Sequence, residues 1–302
     1  MKQIGNFALQ IFFCIEFFTK LYANSDSASK DLAKTDIKIE YQFYVNPQDI
    51  KQSNNLNDID GIIKRKQLIV CAKKDKTTPI FMKKINENEF TGADIDFAKF
   101  IGKTLGVDVV FKMIYESYGD VVTAVQNGEG DIGISEISFT NLRSRQVFYS
   151  SPYVIAKKAI LINRVALEKS NPKTLKNFLN EKKQTLAIEK GSAYEEYAKN
   201  LFPNAKLLIY KNFQNDIVPD LLNGKVDAAM FDEFRVKLLI QENPKLSIKL
   251  LPIILKEEND SISSVISYKN PKLLLYVNEI LEKGKMIKNV DELIKKYEEN
   301  AK

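Results

Sequence analysis

The chain has 302 residues, of which 44% are hydrophobic and 28% charged, a balance that fits one large or two medium globular domains and argues against a disordered or fibrous chain. The net charge of +6 rests almost wholly on lysine, with five arginines, and the lysines are scattered without interleaved aromatics, so solvated faces account for the charge better than a nucleic-acid groove does. Histidine is absent, which removes His-containing metal sites and every serine–histidine or cysteine–histidine triad, and no metal or other cofactor is expected.

Residues 1–23 read as a signal peptide. Met1-Lys2 is a short basic start, Ile4 to Phe18 is mostly apolar, and Leu21-Tyr22-Ala23 offers a cleavage site. Gln10 and Glu16 interrupt the apolar run, whereas a membrane anchor wants about 20 clean apolar residues. Export to the periplasm is therefore expected. Cleavage removes Cys14 and leaves Cys71, in the strand Leu68–Ala72, as the single cysteine, so no internal disulfide is expected. Residues 24–58, rich in Ser, Asp, Asn and Lys, read as a leader with one strand near Ile39–Val45.

The folded unit begins near Asp60–Arg65, a short helix before the strand Leu68–Ala72. Gly92-Ala93-Asp94-Ile95-Asp96 opens a helix with Ile95, Ala98, Ile101 and Leu105 on one face; Gly106 stops it, and Val107–Phe111 is the next strand. A second helix, Gly119–Val125, leads into Asn127-Gly128-Glu129-Gly130-Asp131-Ile132-Gly133-Ile134. A strand over Ala156–Asn163 carries the chain onward, and the rhythm restarts: strand Thr185–Ile188, turn at Gly191, helix Tyr194–Leu201, strand Leu207–Tyr210, helix Ile217–Leu222. The phrase then returns as Asn223-Gly224-Lys225-Val226-Asp227-Ala228-Ala229-Met230, followed by helix Phe234–Glu242, a Ser/Ile strand over Ser261–Tyr268, and helices Pro271–Lys283 and Val290–Glu299. Each copy of the phrase reads as a helix end, a Gly stop, a turn to Asp and a buried strand. The alternation of strand and helix predicts mostly parallel sheets. The expected fold is α/β with two similar lobes, 59–156 with 257–302 and 157–256, joined by two strand crossings that form a hinge.

After the first phrase come Ser135, Ser138 and Arg143; after the second comes Asp232. Ligands of open α/β sheets bind at this C-terminal end of the strands. A guanidinium from one lobe and a carboxylate from the other suit the two charged groups of an α-amino acid.

The residues from Asp60 to the C-terminus resemble the bacterial extracellular solute-binding proteins of family 3, the receptors of polar amino acid ABC importers. The resemblance rests on Gly92-Ala93-Asp94-Ile95-Asp96-Phe97-Ala98, on Thr140-Asn141-Leu142-Arg143-Ser144-Arg145-Gln146-Val147-Phe148-Tyr149-Ser150-Ser151-Pro152-Tyr153, on Gly191-Ser192, and on Gly224-Lys225-Val226-Asp227-Ala228 leading to Asp232. It implies a two-lobed periplasmic-binding-protein-like fold of the second type, an amino acid ligand, an inner-membrane ABC permease as partner, and a monomer without nucleic acid. It further implies that Arg143 grips the ligand α-carboxylate and Asp232 takes the α-ammonium, that Ser135 and Ser138 complete that shell, that the turn at Ser192 and Ala193 offers amide N–H groups, and that Tyr118 lies against the ligand. Glu136 departs from the small residue many relatives carry. An acid there needs Arg143 or a cationic ligand side chain as partner, which favours a neutral or basic ligand over an acidic one. The aromatic that often caps the pocket before Pro79 is missing, with Phe81 as its substitute.

Two other functions stay open at this level. Dehydratases of prephenate or arogenate type share the fold but place a Glu in the turn where this chain has Ser192-Ala193-Tyr194, with Glu195 one step late. Sensor modules of the same fold carry a membrane span or catalytic domain after the module, and the sequence to Lys302 shows neither. A non-catalytic binding protein is the expected reading.

Overall fold

The computed structural model describes residues 41–43, 58–74, 78–86, 89–180, 184–284 and 288–299. The expected signal peptide and most of the leader lie outside them. In chain order the first elements are β1 (Tyr41–Phe43), α1 (Asp58–Arg65), β2 (Gln67–Lys73), β3 (Lys83–Asn86), β4 (Glu89–Thr91), α2 (Ala93–Leu105), β5 (Asp108–Tyr115), α3 (Tyr118–Asn127), β6 (Ile132–Gly133) and β7 (Phe148–Tyr149). The next are β8 (Val154–Asn163), α4 (Arg164–Ser170), α5 (Leu175–Asn180), β9 (Thr185–Glu189), α6 (Tyr194–Leu201), β10 (Lys206–Tyr210), α7 (Val218–Leu222), β11 (Ala228–Asp232) and α8 (Glu233–Glu242). The last are β12 (Leu250–Ile262), β13 (Val265–Ile266), α9 (Pro271–Lys283), β14 (Lys288–Asn289) and α10 (Val290–Glu299).

Two sheets form a two-lobed α/β architecture. The first runs β1-β5-β2-β6-β13-β7, parallel from β1 to β6, with β13 inserted antiparallel between β6 and β7. The second runs β10-β9-β11-β8-β12, with β10, β9 and β11 parallel and β8 antiparallel to both its neighbours. Apolar residues fill both faces of the central strands, as burial under helices on two sides demands. Along β2, Leu68, Val70 and Ala72 face one core and Cys71 the other. Along β8, Ala159 and Leu161 alternate with Ile160 and Ile162 between the two cores of the second sheet. Cys71 is fully buried and its thiol is pushed up to about 12 by that burial, the profile of an inert packing residue.

The duplicated phrase builds the same device twice. Gly128 and Gly224 both take left-handed backbone, φ +79 and +71, which ends the preceding helix without a side-chain clash. Asp131 Oδ2 then accepts the Ile69 N–H of β2 at 2.7 Å, and Asp227 Oδ2 accepts the Thr185 N–H of β9 at 2.8 Å. The register is identical: Ile132 pairs with Val70 and Ala228 with Leu186, each one residue past the staple. The surroundings differ. Asp131 is paired with the Arg65 guanidinium at 2.5 Å and both side chains are almost fully buried, whereas Asp227 takes the Thr185 hydroxyl at 2.6 Å.

Strands β8 and β12 form the long antiparallel ladder of the second sheet. Its register breaks between Leu255 and Asn259, opposite Lys157 and Lys158. Beyond the break β12 turns toward the first sheet, where Ile262 bridges Ser138 and β13 follows. The predicted strand over Ser261–Tyr268 is thus divided, its first part ending β12 and its second forming β13. The predicted helix Ile217–Leu222 is a π-turn over Phe213–Ile217 running into α7.

Candidate functional site

A tight cavity of about 10 Å³ lies between the two sheets, lined by Tyr118, Glu136, Ser138, Arg143, Glu189, Ser192, Ala193, Tyr194, Asp232 and Arg235. The first four follow β5 and β6, and the rest end or follow β9 and β11, so every one sits at or beyond the C-terminal end of a parallel strand. A more open cleft of about 240 Å³ near Phe139, Lys158, Tyr197 and Glu258 carries less chemistry, because Lys158 and Glu258 are paired with each other at 3.1 Å.

Arg143 opens a 3-10 turn after β6 and is buried. Its Nη1 donates to the Ser138 carbonyl at 3.1 Å and its Nη2 to the Gly191 carbonyl at 2.7 Å. Each of these nitrogens carries a second hydrogen, so the guanidinium is oriented by two carbonyls and keeps further donor capacity, with the Tyr149 hydroxyl also beside it. Gly191 has φ +71, and a β-carbon there would stand 3.0 Å from Ser117 Cβ, so the turn beside Arg143 requires glycine. Glu196, one turn into α6, accepts the Asn141 and Leu142 N–H groups at 2.9 and 3.0 Å and braces the segment that carries Arg143.

Asp232 ends β11 and caps α8, its Oδ1 accepting the Arg235 N–H at 2.7 Å. Burial, reinforced by nearby Glu136 and partly offset by Arg235, pushes its carboxyl up to about 7. Glu136 sits at φ +49, a costly backbone for a residue with a side chain, fixed by its N–H donating to Asp94 Oδ2 at 2.8 Å. Its carboxylate accepts the Thr78 N–H at 2.9 Å and the Thr78 hydroxyl at 2.7 Å. The expected partner Arg143 is not the one it finds; the nearest guanidinium is Arg235, at 3.8 Å. Arg143 is instead committed to the two carbonyls.

Arg235 is the center of the polar network. Its Nη1 pairs with Glu189, its Nη2 donates to the Tyr118 hydroxyl at 2.5 Å, and its Nε lies 3.3 Å from Thr78 Oγ1 and 3.7 Å from Asp232. The other oxygen of Glu189 accepts from Lys73 Nζ at 3.2 Å, and that ammonium also stands over the Tyr118 ring at 4.8 Å. Burial works against the charge on Glu189, but Arg235 and then Lys73 outweigh it and hold the carboxyl below the usual range.

Of the residues singled out in the sequence, Arg143, Asp232, Ser138, Glu136, Tyr118, Ser192 and Ala193 share this cavity, and Ser135 does not. Ser135 is fully buried with its hydroxyl accepting the Lys73 N–H at 3.0 Å, so it ties β2 to the site loop instead of facing a ligand. Phe81 is likewise core, packed edge-on against Phe234 with centroids 5.1 Å apart. Glu195 Oε1 accepts the Gly191 N–H at 2.7 Å and shapes the turn from outside the cavity lining. Lys73, Glu189, Tyr194 and Arg235 were not singled out. Lys73 and Glu189 close the equivalent strands β2 and β9, and the strand-end rule applied to those strands points to both. Among the described residues no cluster of three or more His, Cys, Asp or Glu side chains could hold a metal ion, and no helix is long and apolar enough to cross a membrane.

Known proteins resemble a large part of this chain. The arginine-binding protein 1 of an ABC transporter of Escherichia coli is 28% identical over 167 residues, covering 53% of this chain and 62% of its own length. The cyclohexadienyl dehydratase of Pseudomonas aeruginosa is 24% identical over 166 residues, covering 55% of this chain and 60% of that enzyme. The matched stretches thus span about three-fifths of these curated relatives. Among solved structures, an amino acid ABC transporter substrate-binding protein of Streptococcus pneumoniae bound to L-arginine superposes with a TM-score of 0.62 at 27% identity, covering 79% of this chain and 97% of that one. The family model for bacterial extracellular solute-binding proteins matches residues 68–300. With two lobes, a cavity between them and a family match across most of its length, the chain belongs to the bacterial extracellular solute-binding proteins, family 3.

Proposed function

We propose that this protein is the periplasmic receptor of an amino acid ABC importer, exported through residues 1–23 and delivering its ligand to an inner-membrane permease. The ligand α-carboxylate binds Arg143 and the α-ammonium binds Asp232, with Ser138 and the turn at Ser192 and Ala193 completing the shell. The lobes, 59–156 with 257–302 and 157–256, close about β8 and β12. The observation that carries this reading is the meeting, in one cavity, of a buried oriented arginine from one sheet and a buried carboxylate from the other. The role is binding without catalysis. The acid that a dehydratase needs in the turn, Glu195, is held by the Gly191 N–H outside the lining, which favours the receptor.

Titration calorimetry against the common amino acids tests the reading, and small-angle scattering tests the clamp. Saturation with the right amino acid should compact the protein, and the amino acid should be recovered unchanged. Absence of binding by any amino acid overturns the proposal; a converted ligand would make the protein an enzyme.

The raised carboxyl of Asp232 adds a pH signature. The ammonium binds the ionised form, so affinity should be full above about pH 7 and should fall as pH drops, because ligand then has to displace a proton. The limiting slope is about tenfold per pH unit. No histidine is present to titrate in the same window. Calorimetry from pH 5.5 to 8, in buffers of different ionisation enthalpy, should register proton release, and Asp232→Asn should flatten the profile. A flat wild-type profile would remove Asp232 as the ammonium site.

A further inference from the structure

The cavity holds its own guanidinium. Arg235 has the acids Glu189, Glu136 and Asp232 and the Tyr118 hydroxyl around it, and its ring-like plane lies 5.8 Å from the center of Phe213. Both oxygens of Glu189 are engaged, one by Arg235 and one by Lys73. Both oxygens of Glu136 are engaged by Thr78. The acids that could have received a cationic ligand side chain are therefore already answered by the protein. The cations are likewise engaged: Arg235 faces Glu189, Glu136 and Asp232, and Lys73 faces Glu189. A zwitterion with an uncharged side chain leaves these pairs intact, whereas a basic or acidic side chain has to compete with them for a partner in a buried place, which is costly.

We propose that the Glu189–Arg235 pair sets the side-chain charge this site accepts, and that as built the site takes an amino acid with an uncharged side chain. The inference rests on the amino acid receptor reading and narrows it. Arg235 excludes basic side chains by occupying the acids they need. Glu189, by holding Arg235 and Lys73 neutralised, withholds those cations from an acidic side chain. The pair is thus a specificity determinant that touches the ligand end opposite Arg143.

Competition calorimetry with wild type, Arg235→Met and Glu189→Gln decides it, using arginine, glutamate and the uncharged amino acid that binds wild type tightest. Wild type should prefer the uncharged ligand over both others by at least about tenfold. Arg235→Met removes the cation that faces Glu189, Glu136 and Asp232, and arginine should gain at least about tenfold relative to the uncharged ligand. Glu189→Gln removes the acid that faces Arg235 and Lys73, and glutamate should gain instead. Circular dichroism melts establish that each variant is folded, and if one is not, the other decides by the same ratio. Wild type binding arginine or glutamate as tightly as any uncharged amino acid overturns the inference, as do ratios that stay fixed in the folded variants. Wild type binding no amino acid at all overturns the receptor reading and this inference together; binding with unmoved ratios overturns this inference alone.

Discussion

Replacing Arg143 by alanine should weaken amino acid binding by roughly two to four decades. A ligand carboxylate at Arg143 would have Ser138, Ser192 and Ala193 of the cavity lining beside it, and leaving a buried charge without its partner costs on the order of 3–5 kcal/mol. Each 1.4 kcal/mol is about a factor of ten in Kd. Arg143→Lys should lose nearly as much, because an ammonium cannot hold the Ser138 and Gly191 carbonyls and still keep the donor capacity of a guanidinium. Arg145, two residues on, is exposed and absent from the lining, so Arg145→Ala is the control and should change little. Calorimetry on the three variants measures this. An Arg143→Ala protein that binds as tightly as wild type would mean that the carboxylate lies elsewhere.

Asp131→Ala should cost about 3–5 kcal/mol of folding stability, far from the cavity. It strips a buried guanidinium of its counter-charge, leaving Arg65 only the Gln67 carbonyl at 3.1 Å, and it orphans the Ile69 N–H. Asp227→Ala removes the matching staple from the second sheet but exposes no buried cation, so about 1–3 kcal/mol is expected. Urea unfolding of the two variants compares them. Equal losses, or a larger loss at Asp227, would show that the buried ion pair is not what distinguishes the staples.

The twin staples explain why so much of the fold was legible in the sequence. Asn-Gly-x-x-Asp carries its own mechanism: a left-handed glycine to end a helix, and a short acid to catch the neighbouring strand's amide. The helices Tyr194–Leu201, Pro271–Lys283 and Val290–Glu299 have the bounds expected from the sequence. The hairpin β3–β4 was not legible, because β3 is largely exposed and shows no apolar alternation, and α4 buries no residue to mark a face. The Asp232 carboxylate and the Arg143 guanidinium could be read from strand ends and from family resemblance. Arg235 could not. It lies in the first turn of a helix, where an arginine looks like solvated charge, and its meaning depends on Thr78, Tyr118, Glu136 and Glu189, which come from four separate segments. Long-range charge pairing of this kind has no local pattern.

The insertion of β13 between β6 and β7 has a consequence for how the molecule is made. A ribosome delivers the chain from the N-terminus, and domains generally fold as their residues emerge. Strands β9, β10 and β11 with their helices are contiguous, 184–242, and can pair as soon as they appear. The first sheet cannot be completed in that order. Its strands β6 and β7 are already made by Tyr149, yet they do not touch each other and wait for Val265 and Ile266 to lie between them. The same late stretch supplies the Ser261 carbonyl to Phe139 and the Ser263 amide to Ile137, which brace the loop leading to Arg143. A nascent chain shorter than about residue 250 therefore carries a second sheet without its edge strand β12 and a first sheet without β13, and the loop leading to Arg143 is braced only when most of the protein has been synthesised.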